Sequence, residues 1–414
     1  MRPAIRTLSA AIAGAVLAAP PAQAADPEFQ DFFFDVCLSP TGALAIRCAE
    51  TPAAGGDLSG DSESSLNPSQ NLSHNQPAIS VAQTRSKEAR ERSEKLRDDD
   101  GEASEGAAVA AGPFSLLVNL HGTWFDREAD PTTDSERGFD GGSEAAEIGF
   151  DYRLSDRTVL GAIVGFERMD YDFDPEAAGV NFIPASRAGE ADSDNTYLTL
   201  FASWSVGQRG YIELAGGYER NDGSYRRNSV FQESTRTIAQ TNVIVEGDAD
   251  GDVQWTSLNG GFDIDRGAFN FGPYAGLTKT RATVDGYTER DLNGSGLNMI
   301  FAETKRDSLL GHAGLRASYV ASTGIGIVIP QLRVEFHHEF EEDAQDAIAQ
   351  FALDSSGTEY QLLGDEPDTD SINAGFSIAF VLPNGWMPFF DWSVLLEDDV
   401  LDRQRATLGL RVEF

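Results

Sequence analysis

Residues 405–414, RATLGLRVEF, alternate strictly between two kinds of side chain. Successive side chains of a β-strand point to opposite faces, so a period of two predicts a strand with one apolar and one polar face. The apolar face carries Ala406, Leu408, Leu410, Val412 and Phe414, and the other face carries Arg405, Thr407, Gly409, Arg411 and Glu413. This last segment shows the pattern with which the rest of the chain is compared.

The same alternation recurs upstream, over residues 113–414. For example, Leu332, Val334 and Phe336 alternate with Arg333 and Glu335. Segments of this kind predict twelve strands. They lie near residues 114–125, 144–154, 157–171, 193–206, 209–226, 252–265, 269–285, 304–320, 324–340, 370–382, 385–397 and 403–414.

The connections between these strands alternate in length. Tight turns with Gly, Asp or Asn lie near residues 154–157, 206–209, 265–269, 320–324 and 382–385. Long polar loops lie near 126–143, 171–192, 227–251, 286–303 and 341–369. Short turns on one side and long loops on the other are typical of a transmembrane β-barrel. Each segment also exceeds the roughly 9–11 residues that a tilted strand needs to cross the hydrocarbon layer.

A soluble β-sandwich is the structural alternative, since its strands also alternate between apolar and polar residues. Sandwich strands are typically about 5–6 residues long, however, and the segments here are 11 to 18 residues long. An open sheet edge in lipid would leave backbone groups unpaired, so the barrel must close. We therefore predict an all-β fold, a 12-stranded antiparallel transmembrane β-barrel at 113–414, preceded by an N-terminal α-helix that is described below.

Composition excludes several other classes of protein. The 414 residues include 31 Lys and Arg against 67 Asp and Glu, for a net charge of −36. Binding to phosphates needs a basic face, so this acidity argues against a nucleic-acid partner. The chain contains only 2 Cys, which excludes a cysteine-rich metal site or disulfide scaffold.

Residues 1–24 have the pattern of a secretory signal peptide. A basic start with Arg2 and Arg6 precedes a short apolar core, and Ala22-Gln23-Ala24 resembles a cleavage site. Export places the mature chain in an oxidising compartment, where Cys37 and Cys48 can form a disulfide; two free buried thiols are the alternative. Residues 25–79 then read as a short disulfide-clipped segment, in which 51–78 is a flexible tether rich in Gly, Ser, Asn and Pro.

Residues 80–112 predict a charged helix followed by a linker. The run 80–98 lacks Gly and Pro and favours a helix, which is polar on every side and so cannot bury a face in an apolar core. A local excess of bases in so acidic a chain suggests that this helix lies beside acids, although a solvated spacer is the alternative. Its bases are Arg85, Lys87, Arg90, Arg92, Lys95 and Arg97.

Several segments together resemble the autotransporter β-domain, the translocator of type V secretion. They include QRATLGLRVEF at the C-terminus, NGWMPFFDWSVLL, SINAGFSIAFVLPNG, QLRVEFHHEFEEDAQ and LLGHAGLRASY. The resemblance covers residues 113–414. It implies that Leu410, Val412 and Phe414 form the signal that the outer-membrane barrel assembly machinery reads, and that the helix at 80–98 runs through the lumen.

A lumen helix of this kind would face polar residues of the barrel wall. The alternation of the strands places a set of charged residues on the inward face, where acids could pair with the helix bases. This predicted lumen wall consists of Glu147, Asp151, Glu213, Glu219, Asp263, Arg316, Arg333, Glu335, His337 and Asp391.

The chain departs from the family pattern in two ways. Only residues 25–79 precede the helix, which is too short for a β-helical stalk or a hydrolase passenger. Some members cut themselves at an Asn-Asn pair inside the lumen, but residues 80–98 contain no Asn, so this release is not expected here.

Signals for chemistry are weak. There is no G-x-S-x-G or H-E-x-x-H motif. His337 is the best candidate for a base, although an inward histidine is usually a hydrogen-bonded wall residue. The acidic run at residues 246–252 lacks the full calcium-ligand spacing and reads as a solvated loop. We expect no enzyme activity, no metal and no cofactor.

Three functions remain open at this stage. The first is an outer-membrane anchor that displays or retains its short N-terminal segment on the cell surface. The second is a pore or uptake channel with residues 80–98 as its plug, and the third is an outer-membrane hydrolase centred on His337. In each case the expected partners are outer-membrane lipid, lipopolysaccharide and the barrel assembly machinery, and the barrel is expected to be monomeric.

Overall fold

The computed structural model describes residues 27–98, 113–129, 136–179, 181–341, 343–398 and 400–413. The predicted signal peptide, the linker after the helix and Phe414 therefore lie outside the described residues. Among the described residues, no helix has both the length and the apolar character needed to span a lipid bilayer.

Twelve long strands form one closed antiparallel barrel, as predicted. Each strand pairs with the next one along the chain, and the last pairs with the first from Ser115–Glu413 to Arg127–Leu401. The strands are β1 Phe114–Arg127, β2 Phe139–Ser155, β3 Thr158–Phe173, β4 Gly189–Val206, β5 Gly210–Phe231, β6 Thr241–Phe262, β7 Phe269–Val284, β8 Thr304–Tyr319, β9 Gly326–Glu339, β10 Asp370–Val381, β11 Trp386–Leu396 and β12 Leu401–Glu413.

The two faces of the barrel wall carry the two side-chain sets that the alternation predicted. Leu332 and Leu408 each remain 61% exposed on the outer face. Their neighbours Arg333 and Thr407 point inward and are buried. The described residues form no second sheet over the outer aliphatic side chains, so the sandwich alternative is wrong.

Short strands add to both ends of the barrel. Ile264–Arg266 and Ala321–Thr323 extend two of the tight turns. On the other side, Tyr287–Thr288, Met299–Phe301, Asp346–Phe351 and Tyr360–Leu363 form a separate four-stranded sheet from the long loops. A further short strand, Arg290–Asp291, pairs with β6 in antiparallel fashion. The long-loop end of the barrel is therefore a folded structure in its own right.

The acidic run at 246–252 is part of strand β6 and is not a loop. Its acids alternate with glycine or alanine, so they all occupy one face of the strand, which is the face toward solvent. On that face Glu246 pairs with Arg226 and Arg290 at 3.4 and 2.8 Å. The period of two in D-A-D-G-D is typical of a strand, whereas the acidity of the run had suggested a solvated loop.

The N-terminal region is helical from residue 27 onward. Its helices are α1 Pro27–Val36, α2 Gly42–Glu50, α3 Gly60–Leu66 and α4 Asn75–Asp98, with short 3₁₀ helices at Pro52–Ala54 and Ser69–His74. Cys37 and Cys48 form a disulfide that joins α2 to the end of α1. We call residues 27–74 the head.

Residues 51–74, predicted as part of a flexible tether, pack against the long loops instead. Leu58, Leu66 and Leu72 are buried there. The hydroxyl of Ser62 donates to the carbonyl of Val230 at 3.1 Å and accepts from the amide of Gln232 at 3.0 Å. Small polar residues here form hydrogen bonds with backbone groups of the loops. Amino-acid composition alone does not distinguish this role from that of a flexible tether.

Candidate functional site

The helix α4 lies inside the barrel and runs from the long-loop end to the short-turn end. Near its start, Val81 packs in a cluster with Phe125 and Phe139 at the long-loop ends of β1 and β2. Near its end, Arg92 reaches Asp151 at the opposite end of β2. The helix begins at Asn75, five residues before the predicted start. Its path agrees with the lumen placement that the family resemblance implies.

Three arginines of α4 form buried ion pairs with the barrel wall. Arg85 pairs with Glu167, Arg90 with Glu335 and Arg92 with Asp151. All six side chains are at most 5% exposed. Loss of one partner from such a pair leaves an uncompensated charge away from water, which is strongly destabilising. These pairs hold the helix in one position.

Pairing also runs in the opposite direction, from acids of the helix to bases of the wall. Glu91 lies 2.9 Å from the guanidinium of Arg333, which also binds Asp391 at 2.7 Å. Glu88 pairs with Arg405. The excess of bases on α4 predicted only the pairs made by its bases, so these pairs between helix acids and wall bases were not predicted.

Aromatic rings complete the surroundings of the helix arginines. The guanidinium of Arg85 lies 3.7 Å from the centre of the Tyr197 ring. A side chain at Gly165 would overlap that ring, so glycine makes the room for it. Tyr274 donates a hydrogen bond of 2.7 Å to Glu335, the partner of Arg90. The stacking of a desolvated arginine on an aromatic ring, as for Arg85 on Tyr197, contributes up to about 2 kcal/mol.

One face of α4 is not polar, which corrects the prediction that the helix cannot bury a face in an apolar core. Ala82 and Ala89 are buried against a patch of wall that includes Ile163 and Phe201. Alanine is small enough to let the helix approach aromatic side chains closely. The prediction was wrong because the two alanines, seven residues apart, lie on the same face of the helix and give it a narrow apolar contact surface.

The predicted lumen residues lie on the inner wall. Arg316 pairs with Asp263, and Lys87 lies 2.8 Å from Asn373. The side chains of Lys95 and Arg97 are outside the described part of the structure. The following predicted wall residues are buried: Glu147, Asp151, Glu213, Glu219, Arg316, Arg333, Glu335 and Asp391.

Sequence reasoning missed Glu167, the fully buried partner of Arg85. Strand β3 has apolar residues on both faces, with Ile163 inward and Val164 outward, so its alternation is hard to orient. The register with Tyr197 and Asn195 on β4 shows which face is inward. Counting residues from the tight turn at 154–157 would have placed Glu167 on that face.

His121 lies between two carboxylates. Its Nδ1 is 3.4 Å from Glu88 and its Nε2 is 3.3 Å from Glu147. The three side chains are close enough to be considered as metal ligands. Both carboxylates already accept hydrogen bonds, however: Glu88 from arginines, and Glu147 from Asn119 at 2.6 Å and Tyr197 at 3.0 Å. The arrangement therefore fits a charge cluster that fixes the helix better than a metal site.

His337, the candidate base, lies 3.0 Å from Glu335. That carboxylate is already held by Arg90 and by the hydroxyl of Tyr274. A general base needs a partner that orients it toward a reacting group. Here the partner belongs to the network that fixes α4, so His337 is a wall residue of that network.

The head is held to the long loops by backbone bonds and by an ordered turn. Leu58 forms an isolated β-bridge with Glu233, and the backbone amide of Ser59 donates to the carbonyl of Gln232 at 3.0 Å. Burial acts to raise the pKa of the Glu233 carboxyl, but hydrogen bonds from Thr235, Thr237 and Ile238 outweigh it and lower the pKa to about 2. The charged Glu233 carboxylate thus joins the residues of the turn at 233–238 through these hydrogen bonds.

Comparison with known proteins agrees with this architecture. The autotransporter beta-domain model matches residues 116–393, about two thirds of the chain. No curated protein sequence matches the chain. Three of the similar solved structures are autotransporter domains. The translocator domain of the autotransporter NalP from Neisseria meningitidis is 15% identical, with a TM-score of 0.53, and the match covers 81% of this chain and 99% of that domain.

The other two similar structures are also autotransporter domains. The beta domain of the Bordetella autotransporter BrkA is 14% identical, with a TM-score of 0.46, and 73% of this chain and 100% of that one are covered. The transport unit of AIDA-I from Escherichia coli is 11% identical, with a TM-score of 0.46, and the match covers 77% and 96%. At these identities a structural similarity speaks for the fold alone, whereas the family model identifies the sequence. The chain belongs to the autotransporter β-domain family.

Proposed function

We propose that this barrel is an outer-membrane anchor that keeps its own N-terminal head folded at the outer surface of the cell. Membership of the family implies the outer membrane. The observation that carries the proposal is the shared core of head and barrel. Phe29, Phe32, Phe33 and Val36 of α1 pack with Phe351 and with other residues of the long loops.

This core cannot exist in either part alone. Phe33 is fully buried, and its ring lies 5.6 Å from that of Phe351 and 6.4 Å from that of Phe231. Tyr360 contacts both Phe29 and Phe32. Burial of each such ring contributes about 1.5–3 kcal/mol. A segment bound in this way is retained by the barrel, whereas a released passenger would need a separable core.

The helix α4 is the strut between this head and the membrane-embedded wall. Its ion pairs fix it along the lumen, and its first residues follow directly from the head at His74. Movement of the head away from the barrel would therefore expose apolar rings at one end and separate buried charges at the other. Both costs favour permanent presentation of the head.

The partners follow from the same arrangement. The outer apolar face fits membrane lipid, and acidic loops beside lipopolysaccharide would attract divalent cations. Leu410 and Val412 lie on the lipid-facing side of β12, where assembly machinery could read them; Phe414 is outside the described residues. The absence of an open strand edge among the described barrel strands is consistent with a monomer.

The orientation can be tested by labelling single cysteines on intact cells. Asp31 is exposed on the head, and Asp156 is exposed in a tight turn at the other end of the barrel. With a membrane-impermeant maleimide, we expect Asp31→Cys to label on whole cells and Asp156→Cys to label only after lysis. Wild-type protein, whose two cysteines are paired, is the control for background. Labelling of Asp156→Cys alone on whole cells would overturn surface presentation.

A channel with α4 as its plug is the second candidate function, because the helix occupies a lumen that is otherwise lined with charged residues. In planar bilayers the full chain should conduct little. Substitution of Arg85, Arg90 and Arg92 with Gln removes the pairs that fix the helix, and we expect open-channel events to increase at least tenfold. Equal substitution of the exposed Arg220, Arg281 and Arg290 should leave conductance unchanged. If both triple variants conduct like wild type, α4 is not a displaceable plug.

A further inference from the structure

The short-turn end of the lumen contains a cavity with an apolar patch, next to the charged residues of α4 and of the wall. The cavity has a volume of about 100 Å³. Strands β9, β10 and β11 supply inward apolar side chains, and β1 and β3 supply two more. The apolar part of the lining consists of Leu117, Ile163, Ile329, Ala379, Val381, Met387 and Phe389, and charged residues that include Glu88, Glu91 and Arg92 of α4 and Glu147, Asp391 and Arg411 of the wall complete it.

Oδ1 of Asn119 is a buried polar atom of this cavity that has no hydrogen-bond partner among the described residues, and Asn119 is only 6% exposed. The amide orientation of Asn119 is well defined because its Nδ2 donates to Glu147 at 2.6 Å. Oδ1 is therefore the free atom. A buried acceptor without a partner costs about 1–3 kcal/mol, which a ligand with a donor group would recover.

The apolar and polar parts of the cavity meet at Gly409. A side chain at this position would overlap the ring of Phe389 on one side and Oδ1 of Asn119 on the other. Glycine thus allows an aromatic face and a free carbonyl oxygen to lie next to each other. An apolar cavity of roughly 150 Å³ can hold a molecule the size of benzene, and the space here is about two thirds of that volume, so it has room for no more than a single small ring or a short alkyl chain.

We propose that this cavity binds a small neutral molecule with an apolar ring and one hydroxyl group, of the phenol class. The ring would pack against Phe389, Ile329 and Val381, and the hydroxyl would donate to Oδ1 of Asn119. The site is separate from the head and from the proposed function in surface presentation. It gives the lumen a binding activity that does not require α4 to move.

Fluorine NMR of the full chain in lipid nanodiscs tests this site, with 4-fluorophenol and fluorobenzene as probes and empty nanodiscs as the background. We expect a saturable bound signal for 4-fluorophenol, with fluorobenzene bound at least fivefold more weakly. Asn119→Ala should remove most of the difference between the two probes. The hydroxyl contributes to binding only if its acceptor is present.

Ala379→Phe fills the cavity and should abolish the bound signal. Its matched control is Ala374→Phe, at an outward position of the same strand, which should bind like wild type. A folded barrel migrates differently on a gel before and after heating, and this difference reports whether each variant is folded. If folded wild-type protein shows no saturable signal, or if folded Ala379→Phe binds as wild type does, the assignment of the cavity is wrong. The maleimide labelling of Asp31→Cys on whole cells tests surface presentation of the head, and its outcome does not depend on whether the cavity binds a ligand.

Discussion

Replacement of Glu335 with Gln should lower the free energy of unfolding by about 3–5 kcal/mol. Glu335 is almost fully buried and is the ion-pair partner of Arg90 on α4, and it also accepts from Tyr274. Loss of its charge leaves the guanidinium of Arg90 in the lumen without compensation. The measurement is equilibrium unfolding of the purified barrel in detergent, followed by tryptophan fluorescence.

The matched control is Asp307→Asn, which removes the charge from an exposed pair with Arg281 at 2.8 Å. An exposed pair contributes about 0–1 kcal/mol, so the control should unfold nearly as wild type does. The double variant Arg90→Met, Glu335→Leu replaces both charges with apolar groups and should recover much of the loss. If Glu335→Gln costs no more than Asp307→Asn, the pair does not hold the helix.

Phe33→Ala should destabilise the head by about 3–5 kcal/mol, while the barrel stays closed. Phe33 is fully buried between Phe231 and Phe351. Its loss leaves a cavity at the centre of the core that the head shares with the long loops. Hydrogen exchange measures the effect directly, and protection of the amides of α1 should fall by about 10²–10⁴-fold, since each 1.4 kcal/mol is about a factor of ten.

The neighbouring Phe34 provides the control for this prediction, because it is 37% exposed on the same helix. Phe34→Ala should change protection by less than about threefold, since surface substitutions usually stay within about 0.5 kcal/mol. Strand amides in β1 and β12 should be unaffected in both variants. Equal exchange of α1 in Phe33→Ala and wild type would show that the head does not depend on this core.

The barrel itself could be predicted from local pattern. A strand has a side-chain period of two, and lipid on one side of the wall with charge on the other imposes that period on residues such as Arg333 and Leu332. Turn and loop lengths then gave the strand count and the two ends. The position of α4 in the lumen came from the family resemblance, whereas the polar character of the helix and its excess of bases were visible in its residues.

The tertiary structure alone decided how the chain is held together. The pairing of Arg85 with Glu167 and the meeting of Phe33 with Phe231 and Phe351 join residues that are far apart in sequence. Neither helical nor strand periodicity contains information about such contacts. The sequence by itself determined which face meets lipid for strands with a clear alternation, such as β9 and β12, because that depends on nearest neighbours; β3, apolar on both faces, was not determined in this way. Only the closed barrel decided which charges are compensated and whether the N-terminal segment is folded, because burial and ion pairing depend on what the rest of the chain brings into contact.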